Sequence, residues 1–150
     1  TYRLPTEVEW EYACRAGTRT PFAFGESVDC HQVHFNPSFP YEEQKQKKRW
    51  FLPRCLPMPS ALEVGRYPCN PWGLHDMHGN VWEFTASRWS ESLPAAASDE
   101  QASTLRKGKP ITVRGGSYFD MAVRARSAAR QRRVWDELDV NIGFRVVREL

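Results

Sequence analysis

Apolar positions first become periodic just after the N-terminus. Trp10, Ala13 and Cys14 recur at i, i+3 and i+4, the spacing of one narrow helical stripe. Thr6-x-x-Glu9 ahead of them has capping-box spacing, in which the Thr hydroxyl accepts the N–H three residues on and the Glu carboxylate returns to the N–H of Thr6. Gly17 is placed to end the helix in the left-handed conformation. The pattern predicts one helix, roughly Glu7 to Arg15, with Cys14 buried on it as a small hydrophobe.

From 18 to 71 neither a period of 2 nor one of 3.6 survives, and most of the 11 prolines fall there. Loops of that length inside compact domains are usually functional, or organised by aromatic anchors or ions. The charged run Glu42 to Arg49 reads as a solvated excursion within it. Strands gather later. Gly79-Asn80 signals a tight turn, and Val81-Trp82-Glu83-Phe84 alternates, with Trp82 and Phe84 on one face and Val81 and Glu83 on the other. Ile111 to Arg114 runs into Gly115-Gly116, Gly143 to Val147 alternates again, and 87–109 is a polar, Ala/Ser-rich loop.

At 150 residues, with 41% hydrophobic and 26% charged, the chain is expected to be one soluble globular domain, not a disordered tail or a fibre. No apolar run approaches the roughly 18 residues of a membrane span. The chain opens without Met inside a capping sequence, which reads as part of something longer. Cys14, Cys30, Cys55 and Cys69 are too few and too unevenly spaced for a disulfide scaffold, so the expectation is a reducing, cytoplasmic compartment.

Net charge is +3 and the C-terminal third is basic. Arg124, Arg126, Arg130, Arg132 and Arg133 are followed by Asp136, Glu137 and Asp139, so internal ion pairing is favoured over a nucleic-acid surface. Phosphate-binding, dinucleotide, serine-hydrolase and His-Glu-x-x-His motifs are all absent. Cys30-His31-x-x-His34, with Cys55 and Cys69 downstream, has the residue types of a zinc site without a paired Cys-x-x-Cys, and reads as a loop with incidental Cys and His. His75 and His78 are three apart, but Gly73 and Gly79 bracket them in a turn. Asp76 and Glu83, joined by a backbone-rich turn, suit oxygen ligation of a hard cation better than acid–base work.

Five segments in order carry a family resemblance: Arg3-Leu-Pro-Thr-Glu-Val-Glu-Trp-Glu-Tyr-Ala13, Asn70 to Phe84, Val113-Arg-Gly-Gly-Ser-Tyr118, Arg126-Ser-Ala-Ala-Arg130 and Asn141-Ile-Gly-Phe-Arg145. Together they span nearly the whole chain, which resembles the formylglycine-generating enzyme (sulfatase-modifying factor) family. The resemblance implies an α+β, C-type lectin-like fold of short antiparallel strands, one clear helix and long loops. It also implies that the N-terminal part of that fold precedes Thr1. By the same resemblance, Asp76, Gly79, Val81 and Glu83 fall on a structural Ca²⁺ site of the family.

The family contains copper oxidases, sulfoxide-synthase relatives and non-catalytic binding domains, so the fold alone does not decide function. In the oxidases, two cysteines closely follow the Gly-Gly-Ser-Tyr segment and bind Cu(I), which prefers soft thiolates. Here Phe119-Asp120-Met121 follows, no Cys occurs after Cys69, and no copper is expected. The expectation is a non-catalytic module of a larger bacterial protein. Tyr118, Phe119, Asp120, Arg124, Gln131, Arg132 and Trp135 would bind a protein or anionic ligand, because aromatics and Arg supply rigid contact area and bidentate hydrogen bonds. Arg126 and Arg130 are expected to be structural. The alternatives are a metal-dependent oxidase with an altered site, and a ligand-display protein of the retroelement-diversified kind, whose variable segment corresponds to Tyr118–Asn141.

Overall fold

The computed structural model describes residues 1–41, 55–92 and 108–149. Its elements are β1 (Tyr2–Arg3), α1 (Glu7–Arg15), β2 (Trp82–Arg88), β3 (Pro110–Arg114), a 3₁₀ turn (Ala122–Ala125), β4 (Arg130–Val134), β5 (Ile142–Phe144) and β6 (Val147–Arg148). The run Glu42 to Arg49 lies outside the described residues.

The helix forms as its local chemistry dictates. Thr6 Oγ1 accepts from Glu9 N at 3.2 Å, and Glu9 Oε2 accepts from Thr6 N at 2.8 Å. Arg3 clasps the same carboxylate at 2.7 Å and, with that hydrogen bond foremost, holds Glu9 down to about 2. The left-handed C-cap is Ala16, at φ 45°, one residue before the glycine predicted for that role.

Four strands in the order β4-β3-β2-β5 make the main sheet, and β1 pairs with β6. The β2–β5 pair is parallel, which corrects the expectation of antiparallel strands alone. The alternation expected over 143–147 is broken between β5 and β6, where the Arg145 side chain turns to Glu83. Strand β4 was not foreseen. Its arginine-rich sequence hides a period-2 pattern, because Arg130 is matched from above by Glu7 of the helix.

Register explains this. Glu83, Arg114 and Arg130 stand side by side on the sheet face under α1. Arg114 is wholly buried, pairs with Glu11 and donates to Ala129 O at 2.6 Å. Arg130 pairs with Glu7 and lies 4.8 Å from the Trp89 ring, so its structural role is as expected. Trp10 crosses from the helix to donate to Glu83 at 2.6 Å. The opposite face carries Trp82, Ile111 and Val113, all buried, beside the more open Phe84, Gln131 and Phe144.

The long loop is held by packing rather than by regular hydrogen bonds. Phe22, Val28, Val33 and Phe35 form one cluster with Ala122 and Ala125 of the 3₁₀ turn. Two isolated bridges, Phe22 to Gly25 and His34 to Gly79, are its only ladder pairings among the described residues. At Gly79 (φ +78°) a Cβ would stand 2.9 Å from the His34 carbonyl carbon, so the two backbones touch through the missing side chain.

Cys30 and Cys55 form a disulfide with their Cα atoms 6.1 Å apart. The loop folds back over a separation of 25 residues, which spacing rules do not register. Cys14 is buried as expected, and burial pushes its thiol up to about 12. No helix among the described residues is long and apolar enough to cross a membrane.

Candidate functional site

Gly115 and Gly116, both at positive φ, end β3 and let the chain double back. At Gly116 a Cβ would lie 2.8 Å from Arg124 O, so the segment from Ser117 to Arg124 closes over it as a compact loop. Asp120 pins that loop. Its Oδ2 accepts from Trp82 Nε1 at 2.8 Å, from Ser117 N at 3.1 Å and from the Ser117 hydroxyl.

The loop is also stitched to a second one. Asn36 N donates to Asp120 O at 2.9 Å, and Ala122 N donates to Phe39 O at 3.0 Å. These bonds bring three exposed apolar side chains onto adjoining loops: Phe119 at 72% exposure, Phe39 at 48% and Met121 at 41%. Arg124, also exposed, lies on the same loop as Phe119 and Met121. Phe39 was missed in the sequence because it sits in aperiodic chain 80 residues from Phe119, and only the cross-loop bonds join them.

The predicted ligand residues therefore divide. Tyr118 is buried, with its N–H on Asn80 O at 2.9 Å and its ring stacked 5.7 Å from His34, so it supports the loop from beneath. Asp120 is spent on the loop itself. Gln131 lies opposite Val113 on the sheet face away from α1, where Phe84 meets Trp135 at 5.4 Å. Arg132 pairs with Thr112 one register step away and points to the helix-covered side, so it does not share a face with Gln131.

The turn predicted to hold Ca²⁺ has both carboxylates engaged by protein donors. Arg145 grips Glu83 with Nε at 2.6 Å and a second nitrogen at 2.7 Å, and Trp10 adds the third bond. Asp76, left-handed at φ 56°, accepts from Gly65 N at 2.7 Å. Among the described residues, neither carboxylate has a buried oxygen lacking a partner. A cation bound through Asp76, Gly79, Val81 and Glu83 would compete with Arg145 for the Glu83 charge.

His75 and His78 do not share a site. His75 is exposed with Nδ1 on Tyr67 O at 2.8 Å, whereas His78 is buried, with Nδ1 on Ala125 O at 2.7 Å and Nε2 accepting from Ala23 N at 3.1 Å. Burial pulls His78 down to about 4.

Comparison with known proteins gives this geometry a context. The formylglycine-generating enzyme of Mycobacterium tuberculosis (strain ATCC 25618 / H37Rv) is 33% identical over 97% of the chain and 50% of its own length. The inactive C-alpha-formylglycine-generating enzyme 2 of Bos taurus is 30% identical over 95% of the chain and 42% of its own. The structure of PvdO from Pseudomonas aeruginosa superposes with a TM-score of 0.74 at 30% identity, covering 99% of this chain and 53% of that one. The chain thus spans about half the length of these relatives. The sulfatase-modifying factor enzyme 1-like domain matches residues 1–150, and the chain belongs to that family.

Proposed function

We propose that this domain is a non-catalytic binding module of a larger protein, and that it meets a protein or anionic ligand with Phe39, Phe119, Met121 and Arg124. The observation that carries this reading is the content of the loop after Gly115-Gly116. Where the family's oxidases are expected to place two thiolates for Cu(I), a metal that favours soft ligands, the loop has none, and its one acid is consumed in holding the loop's shape. What it offers outward is apolar contact area beside one guanidinium, the composition of a recognition patch. An inactive protein among the relatives agrees with this reading.

The test is aerobic incubation of the intact parent protein with a Cys-x-Pro-x-Arg peptide, first with Cu(I) and then with Fe(II). No aldehyde is expected. Turnover would instead establish the alternative, an oxidase with an altered metal site. A nucleic-acid partner would reveal itself by a steep fall of affinity with salt, which a mainly apolar contact lacks.

A further inference from the structure

A cavity of about 400 Å³ is lined by Cys30, His31, His34, Cys55, Arg66 and Tyr67 among others. We propose that the reduced protein binds zinc through Cys30, His31 and Cys55 at this cavity, and that closing the Cys30–Cys55 disulfide releases it. The two sulfurs and a ring nitrogen of His31 all lie within 4.8 Å of one another, with His31 Nε2 3.9 Å from Cys55 Sγ. Two thiolates and an imidazole are the ligand types zinc prefers.

The backbone sets these groups in place. Asp29 starts a single turn, its carbonyl accepting from Gln32 N and Val33 N, both at 3.1 Å, and its carboxylate accepting from His31 N at 2.8 Å. That turn fixes Cys30 and His31 toward Cys55. A Cα separation of 6.1 Å leaves side-chain rotation to open the sulfurs. Two Zn–S bonds of about 2.3 Å at the tetrahedral angle span roughly 3.8 Å.

A second observation points to a ligand. His34 lines the same cavity, is buried, and its Nε2 has no partner among the described residues. Its Nδ1 faces Asn80 Oδ1 at 3.3 Å, and Tyr67 and Tyr118 flank the ring at 5.8 and 5.7 Å. A metal-binding histidine usually donates its other ring N–H to an oxygen in this way. His34 Nε2 thus offers a lone pair to the same cavity, outside the group of Cys30, His31 and Cys55 that would hold the metal.

The redox step balances with named reagents. A water-soluble phosphine supplies two electrons to the S–S bond, its phosphorus takes the oxygen of one water, and that water's two protons end on the sulfurs. Zinc displaces those protons on binding. In the reverse direction hydrogen peroxide takes two electrons from the thiolates and, with two protons, becomes two waters, while the S–S bond forms and zinc leaves.

The experiment titrates Co²⁺ into phosphine-reduced, desalted, anaerobic protein and follows the thiolate-to-cobalt charge-transfer band. One equivalent is expected to saturate the band, Zn²⁺ to displace it, and peroxide to abolish it. Oxidised protein should give none. Cys69→Ser should leave the band intact, Cys30→Ser or Cys55→Ser should remove it, and His31→Ala should weaken affinity at least tenfold. No band in reduced protein, a band that survives both serine variants, or a reduced protein that has lost its circular-dichroism melting transition would each overturn the proposal.

Discussion

His78 Nε2 accepts the backbone N–H of Ala23 at 3.1 Å while Nδ1 reaches Ala125 O at 2.7 Å, so the ring joins two loops only when neutral. Protonation would set one N–H against another. The folded-state value of about 4 lies below the ordinary 6.5, so the unfolded chain binds the extra proton between them. The stability this contributes is complete above about pH 6.5 and is lost as pH falls toward 4, by roughly 3 kcal/mol. Urea melts across that window measure it. His78→Gln should remove most of the slope, leaving the share of His34, which burial also pushes down. Glu9, held at about 2, contributes in a lower window, its stability being lost as pH falls from about 4.5 toward 2.

Asp120→Ala strips the acceptor from Trp82 Nε1 and from both Ser117 donors. An indole N–H left unpaired beside a buried ring should cost about 2–4 kcal/mol in urea denaturation. Asp120→Asn, which keeps an acceptor oxygen, should cost less. Equal losses for the two would mean that the acceptor is not what holds the loop.

Phe119→Ala and Met121→Ala remove exposed contact area and should leave the melting temperature nearly unchanged. Each should weaken ligand binding by roughly 1–3 kcal/mol, as expected of interface anchors. Trp135→Ala differs, because Trp135 packs on Phe84 and its loss should also lower stability. Isothermal titration alongside thermal melts separates the two effects.

Glu83→Gln leaves Arg145 without its bidentate carboxylate and should destabilise the domain by about 2–4 kcal/mol. The same protein tests the cation. Calcium at ten times its dissociation constant would raise stability by about 1.4 kcal/mol through mass action. With Glu83 already neutralised by Arg145, melts in millimolar Ca²⁺ and in chelator are expected to coincide. A calcium-dependent rise that Glu83→Gln abolishes would establish the ion site.

What could be read from the chain was what is encoded locally. Thr6 and Glu9 find each other across three residues, and the Trp82–Phe84 alternation reports its own strand. Pairings made by long-range folding were not readable. Cys30 meets Cys55, Arg130 meets Glu7 and Phe39 meets the Phe119 loop only after the chain has doubled back. Tyr118 shows the same limit in reverse: an aromatic next to Phe119 in sequence is buried because His34, far upstream, supplies a ring to stack on.

The contact between Gly79 and His34 also bears on how this chain can change over generations. The loops on either side are held by side-chain packing that many residue combinations could reproduce, so most of their positions can drift. At Gly79 the Asn80 N–H reaches His34 O at 2.8 Å, and any side chain would occupy the space that the His34 backbone fills. A saturation library at Gly79 should therefore recover glycine alone, with the smallest substitution, alanine, among the excluded residues. Compensating substitutions elsewhere cannot rescue it, since the obstacle is main chain.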